Sequence, residues 1–205
     1  IFLRKNEYMN NIKILFVKSI RSRYIFRFKN GPMSSKLIED YLNYPVSFIN
    51  KLNNIDNLLV RPHPQEKYRK WNFTNIIIEK YPNIKIDNNN RILDSLKDSR
   101  IFISDHLGTS FLESMEANLP SFLILNKSSY KFRDEFITLF DKLVESNVIF
   151  FDPEKAAKFI DENYEKIDLF WESNSIQKVR AEFVQKHYLT SDKWTKNFCE
   201  TLLNV

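Results

Sequence analysis

The chain has 205 residues, a net charge of +5 and a pI near 9.1, with the basic residues spread rather than blocked. Hydrophobic residues make up 43% and aromatic residues 15%, enough for a core, which excludes a disordered chain and fits one domain. A dispersed basic excess suits a small anionic ligand or a membrane surface and gives little support to a nucleic-acid partner.

In chain order, Ile12–Val17 is an apolar run that reads as a strand, and Tyr24–Phe28 alternates apolar and cationic residues before Gly31-Pro32 breaks the pattern. Ser34 or Ser35 is placed to cap a helix over 36–52, with Leu37, Tyr41, Leu42, Phe48, Ile49 and Leu52 on its apolar side and Pro45 expected to kink or break it. Strand 57–60 leads into Arg61-Pro62-His63-Pro64, then a polar helix or loop at Gln65–Trp71, helix 74–80 and strand 84–86. Asn90 is placed to cap helix 91–98. Strand 101–104, the turn Ser104-Asp105-His106-Leu107-Gly108-Thr109-Ser110, a short helix carrying Phe111, Leu112 and Met115, and strand 121–125 form a βαβ unit. A helix near 131–146 and a run Val148–Phe151 precede Asp152-Pro153-Glu154, a strong helix start with Asp at N-cap and Pro at N1. From there the spacing is helical to the end, through Ile176, Val179, Phe183 and Val184 and then Trp194, Phe198, Thr201 and Leu202. The order predicts a doubly wound parallel α/β sheet over 1–152, with a helical tail over 153–205 packed on the same domain.

The sole cysteine, Cys199, excludes an internal disulfide framework and a cysteine-based zinc site, and reads as a buried or half-buried inert thiol. No apolar run approaches the roughly 20 residues of a membrane span and no leader pattern is evident, so the expected compartment is the cytosol. Ile1 in place of an initiator methionine reads as a fragment or a trimmed chain.

Two polar loops follow two expected strands, and in open α/β sheets ligands lie outside the carboxyl ends of strands. At Gly108-Thr109-Ser110 a helix N-terminus offers free N–H groups to a phosphate. A competing reading is capping alone, since Ser110 and Glu113 have capping-box spacing. Gly108 is one of only two glycines, which suggests a special backbone conformation or close approach to a ligand. Glu113 is suited to accept hydrogen bonds from ribose hydroxyls, with Glu116 as a substitute. His63, between two prolines, is suited to bind a phosphate or to act as acid or base. Its other reading is a turn histidine bonded to backbone. Arg61 is suited to a bidentate phosphate contact or to an ion pair. His106 is placed to meet the ligand or the transferred group, and Asp105 to orient a loop. Asp105, His106 and His63 lack the tight spacing of a metal site. His187 reads as structural or exposed, and Lys127-Ser128-Ser129 as a weaker ligand loop. A P-loop and a G-x-G-x-x-G fingerprint are both absent.

The Arg-x-His-Pro loop at 61–64, Ser-Asp-x-x-Gly-Thr-Ser-x-x-Glu at 104–113, and a tail with Trp171 and Gln177-Lys178-Val179-Arg180 resemble the C-terminal, Rossmann-like nucleotide-binding half of GT-B fold glycosyltransferases. The closer resemblance is to a family of transferases from bacterial surface-carbohydrate and O-antigen gene clusters. The two loops are also similar to those of bacterial sialyl- and Kdo-transferases, where such elements hold the donor's CMP. This resemblance implies His63 and Pro64 as one nucleotide-holding element and Thr109 and Ser110 as the other; His106-Leu107 departs from the usual small or polar pair. It implies a CMP-, UDP- or GDP-linked sugar as substrate, with no tightly bound cofactor and no metal. A glycan or lipid-linked acceptor, a companion N-terminal half and work at the inner membrane face follow from the same resemblance. Other readings are a nucleotide-sugar epimerase or hydrolase of that architecture, or a non-catalytic binding module.

Overall fold

A computed structural model describes residues 13–20, 35–69, 73–130, 132–188 and 194–203. The alternation at Tyr24–Phe28, the Gly31-Pro32 break and residue Ile12 lie outside them. Among the described residues six strands pair in parallel, in the order β3-β2-β1-β4-β5-β6. They are β1 (Ile14–Val17), β2 (Leu58–Arg61), β3 (Lys85–Ile86), β4 (Ile101–Ser104), β5 (Ser121–Ile124) and β6 (Ile149–Phe150). The helices are α1 (Ser35–Lys51), α2 (Glu66–Arg69), α3 (Phe73–Lys80), α4 (Ile92–Lys97), α5 (Thr109–Glu116), α6 (Asp134–Glu145), α7 (Pro153–Asn163), α8 (Ile167–Trp171), α9 (Asn174–His187) and α10 (Trp194–Leu203). The expected doubly wound parallel sheet with a helical C-terminal part is therefore present.

The central strands are apolar on both faces because both faces are covered. Ile14, Phe16, Leu58, Val60, Ile101, Ile103, Phe122 and Ile124 form one cluster with Phe48 and Ile49 of α1, Ile77 of α3 and Ala157 and Ile160 of α7. Leu15, Phe102 and Leu123 point the other way, against Phe111 and Met115 of α5, Leu139 and Leu143 of α6, Trp171 of α8 and Ile176 and Phe183 of α9. The period of two within each strand sends alternate side chains into the two helical layers.

Helix α1 runs through Pro45. An interior proline costs roughly 3 kcal/mol, but Phe48, Ile49 and Leu52 beyond it are buried, at about 1.5–3 kcal/mol each, so the helix continues. Asp152 caps α7 as expected, accepting from the N–H groups of Glu154 at 2.9 Å and Lys155 at 3.2 Å. Helix α4 differs: its N-cap is Arg91, not Asn90, with no side-chain cap bond. Helices α5 and α6 each end in a Schellman motif. Leu119 N–H donates to Ser114 O at 3.0 Å and Asn118 N–H to Met115 O at 3.2 Å; Val148 N–H donates to Leu143 O at 2.9 Å and Asn147 N–H to Val144 O at 3.0 Å. The left-handed residues among those described are Asn118 and Asn147, both at φ 54°. Cys199 is exposed rather than buried, on a helix whose Phe198 and Leu202 are exposed as well; the side chains of Trp194 and Thr201 are outside the description.

Candidate functional site

In this sheet the chain leaves β1 and β4 toward opposite sides, and the gap between their carboxyl ends is the topological switch point. Val17 is level with Arg61 on one side and with Ser104 on the other. The residues that follow the three strands, Lys18-Ser19, Pro62-His63 and Asp105-His106, therefore emerge at one sheet edge. The loop of His63 and the turn of Ser110 share that edge with β1 between them.

Asp105 joins the two central strands across the switch point. Its Oδ1 accepts from the Ser19 N–H at 2.7 Å and its Oδ2 from Lys18 Nζ at 2.5 Å. Lys18 is 2% exposed; its ammonium lies 3.2 Å from the centre of the Tyr41 ring, and Tyr41 donates from its hydroxyl to Ser19 O at 2.7 Å. The pair neutralises a carboxylate that would otherwise repel an anion at this edge. Lys18, Ser19 and Tyr41 were not among the expected site residues. The signal was available for Lys18, the first polar residue after the apolar run, whereas Tyr41 arrives from α1 through a tertiary contact.

Helix α5 starts beside this pair. Its N-cap is Gly108, with no side-chain cap bond, so the capping box, the competing reading, does not form: Ser110 sits inside the first turn, too late to cap it. Phe111 and Leu112 donate to Gly108 O at 3.1 and 3.2 Å. The N–H groups of Thr109 and Ser110 have no acceptor among the described residues, and Thr109 is exposed. Gly108 has φ −133° and ψ −175°, ordinary extended backbone, so the expected special conformation is absent. A Cβ at this position would lie 3.0 Å from His106 Cδ2 and 3.5 Å from its Nε2, so a side chain there would press the imidazole aside by a few tenths of an ångström. The imidazole of His106 thus lies along the start of α5, with Nδ1 2.9 Å from the Tyr130 hydroxyl.

Further along α5, Glu113 is half-buried, its carboxylate makes no hydrogen bond among the described residues, and burial pushes its pKa above the ordinary value. The far end of the helix is clamped by the C-terminal helices. Trp171 Nε1 donates to Asn118 Oδ1 at 2.9 Å and Gln177 Nε2 to the same oxygen at 3.0 Å. Arg180 donates from Nη1 to Met115 O at 2.7 Å and from Nε to Gln177 Oε1 at 3.1 Å.

His63 accepts at Nδ1 from the Gln65 N–H at 3.1 Å, which leaves the ring proton of the neutral form on Nε2. Its backbone carbonyl accepts from Glu66 N–H at 2.9 Å, and Pro64 is exposed. Arg61 makes an ion pair, one of the two readings open for it. It is the last residue of β2 and 7% exposed, and its Nη1 donates to Asp87 Oδ2 at 2.6 Å, Asn89 O at 2.9 Å and Ser95 Oγ at 3.0 Å. Burial alone would raise the Asp87 carboxyl, but hydrogen bonds from Ser95, Arg61 and the Asn89 N–H, with the Arg61 charge, hold it below its ordinary value. Nη1 thereby joins the end of β2 to Asp87 and Asn89, just past β3, and to Ser95 of α4. Ser128 at the weaker loop folds onto Asn126 Oδ1, and His187 packs on Phe136 and Phe183 as a structural ring. Among the described residues no three His, Cys, Asp or Glu side chains group as a metal site, and no helix is long and apolar enough to cross a membrane.

A sheet in this order, with a helix N-terminus at its switch point, defines a Rossmann-like α/β protein. The chain matches the model of the LIC12162 family of transferases over residues 2–202; it belongs to that family and is a transferase. Among solved structures it is similar to the catalytic domain of cholesterol-alpha-glucosyltransferase from Helicobacter pylori, with 12% identity, a TM-score of 0.45, and coverage of 85% of this chain and 97% of that one. It is also similar to the wall teichoic acid polymerase TagF, with 16% identity, a TM-score of 0.45, and coverage of 87% of this chain and 43% of that one. No curated protein matches it.

Proposed function

We propose that this chain is the donor-nucleotide-binding part of a glycosyltransferase of bacterial surface polysaccharide biosynthesis. The observation that carries the reading is the open N-terminus of α5 at the β1/β4 switch point, flanked by His106 and followed by the half-buried Glu113. Family membership supplies transfer chemistry; the motif resemblance at 61–64 and 104–113 supplies the sugar. The donor's phosphate lies against the N–H groups of Thr109 and Ser110, within reach of His63 and His106, with Pro64 shaping the first loop. Glu113 accepts from the ribose hydroxyls. As the bond between the anomeric carbon and the phosphate oxygen breaks, these fixed donors stabilise the charge that develops on the leaving phosphate. Asp105, neutralised by Lys18, and Arg61, tied to Asp87, hold the loops rather than the ligand. The acceptor is a glycan or lipid-linked glycan, presented by a companion α/β half at the cytoplasmic face of the membrane.

Calorimetric titration with CMP, CDP, UDP and GDP tests this reading. One nucleotide should bind saturably, and His63→Ala and Thr109→Ala should each weaken it with the fold intact. A lost neutral hydrogen bond is worth about 0.5–1.5 kcal/mol and one to a charged phosphate about 1.5–3 kcal/mol. Wild-type affinity in both variants would return these residues to purely structural roles.

A further inference from the structure

Arg61 is a buried cation whose hydrogen bonding the fold leaves incomplete. Its side chain is 9% exposed. Nη1 serves three acceptors, Asp87 Oδ2, Asn89 O and Ser95 Oγ. Nε and Nη2 meet no acceptor among the described residues. A guanidinium is all donor, and a buried donor left without an acceptor is costly. These two groups form the side-on edge of the planar guanidinium, whose parallel N–H bonds match the two oxygens of a carboxylate or a phosphate. Arg61 ends β2, and its partners Asp87 and Asn89 lie just past β3. The guanidinium therefore belongs to the carboxyl edge of the sheet, where ligands of open α/β sheets lie. The loop after β3, Asp87-Asn88-Asn89-Asn90, is polar throughout, with Asn88 and Asn90 exposed.

Charge decides between the two kinds of oxyanion. The Asp87 carboxylate lies 2.6 Å from Nη1, so the ion pair carries no net charge. A doubly charged phosphate on the open edge would be repelled by that carboxylate more than a singly charged, planar group. We propose that the Nε–Nη2 edge of Arg61 binds the carboxylate of an acidic sugar, with the amides of Asn88 and Asn90 at the same sheet edge for its hydroxyl groups. That the ligand is a sugar rests on the glycosyltransferase reading; the open edge does not. Nη1 still ties the loops together, and the donor's phosphate stays at α5, across β1 from this site. The acid belongs to the donor's sugar or to the acceptor, and the test separates the two.

The test is the 1H–15N spectrum of the arginine Nε–H groups in the full-length chain, with the Arg61 signal assigned by correlation to its backbone amide. Glucuronate and N-acetylneuraminate should shift that signal saturably. Glucose, N-acetylmannosamine and the methyl ester of glucuronate should leave it unmoved. Arg61→Lys keeps a cation against Asp87 but has no side-on edge, and should bind glucuronate at least about tenfold more weakly. Should that variant fail to fold, the acid-against-ester comparison on the wild type decides alone. CMP-N-acetylneuraminate that shifts the Arg61 signal and displaces glucuronate assigns the acid to the donor's sugar. Glucuronate that binds unchanged beside saturating CMP-N-acetylneuraminate assigns it to the acceptor. Acidic and neutral sugars acting alike on the Arg61 signal would overturn the inference, as would CMP or inorganic phosphate shifting it as far as glucuronate does. Nucleotide binding that persists in that case leaves the nucleotide reading standing. Glucuronate held at Arg61 by a chain that binds none of CMP, CDP, UDP and GDP would uphold the carboxylate site and overturn the nucleotide reading.

Discussion

Glu113 carries the sharpest chemical signature at the scale of single residues. Burial raises its pKa, so in the free protein it keeps its proton to a higher pH than an unburied glutamate. The corresponding stability is fully present below the unfolded value, about 4.3, and is lost as the pH rises through the higher folded value. Ribose hydroxyls donating to the carboxylate would favour the charged form instead. Binding should then release a proton in that window, and ribonucleotide affinity should rise with pH through it. Comparison of wild type with Glu113→Gln isolates this effect from titration of the nucleotide's own phosphate. The affinity ratio of the two proteins should grow from near one at low pH to the worth of a charge-assisted bond, about 1.5–3 kcal/mol, above the window. The 2′-deoxy nucleotide should show less of this rise. A ratio that stays flat across pH, measured by calorimetry, would mean that the carboxylate does not meet the sugar. Lys18 and Asp105 illustrate the opposite case, a carboxylate already satisfied, with both oxygens engaged by Lys18 and Ser19 just past β1.

Among the elements, α5 is the part whose placement decides the site, and it is fixed from its far end. Asn118 does two things there: it takes the left-handed position that closes the helix, and its Oδ1 accepts from Trp171 and Gln177. Asn147 takes the same backbone position after α6 but is exposed, with no side-chain hydrogen bond among the described residues. The two asparagines should therefore respond differently to glycine. Asn147→Gly removes the strain of a left-handed Cβ and should stabilise the fold by up to about 1 kcal/mol. Asn118→Gly removes the same strain but leaves the buried Trp171 N–H without its acceptor, costing about 1–3 kcal/mol, so the net change should be destabilising. Urea midpoints at unchanged m-value measure both. Equal stabilisation by both substitutions would show that the clamp adds nothing to the cap.

The same helix shows what was legible in the sequence. Apolar runs located the strands, and the polar residues after them located the loops, because a strand buried on both faces leaves little choice of composition. The Asp152-Pro153 start was readable because a cap is local. At Gly108 only the unusual-backbone reading fails: asparagine fills the left-handed positions, and the His106 imidazole lies beside the glycine. Arg61 stayed open between a phosphate and an ion pair because its partners, Asp87 just past β3 and Ser95 on α4, are 26 and 34 positions distant. Tyr130 reaches His106 across 24 positions and Trp171 reaches Asn118 across 53, contacts that no local pattern announces.

For the whole molecule, the functional reading depends on one topological fact. The strand order β3-β2-β1-β4-β5-β6 places the ends of β2, β1 and β4 side by side, so that loops more than 40 positions apart in sequence, at His63 and at Thr109, share one edge. The helices after residue 153 complete both layers around this sheet, through Ala157 and Ile160 on one face and Trp171, Ile176 and Phe183 on the other. The most direct test is a 1H–15N amide titration of the full chain with whichever of CMP, CDP, UDP and GDP binds. The expected result is that the largest shifts fall on the Gly108, Thr109 and Ser110 amides, with the ring N–H groups of His63 and His106 moving in the same saturation curve. Saturable binding that leaves these amides silent, with shifts gathered instead at the opposite sheet edge near Asn118 and Asn147, would contradict a donor site at the β1/β4 switch point.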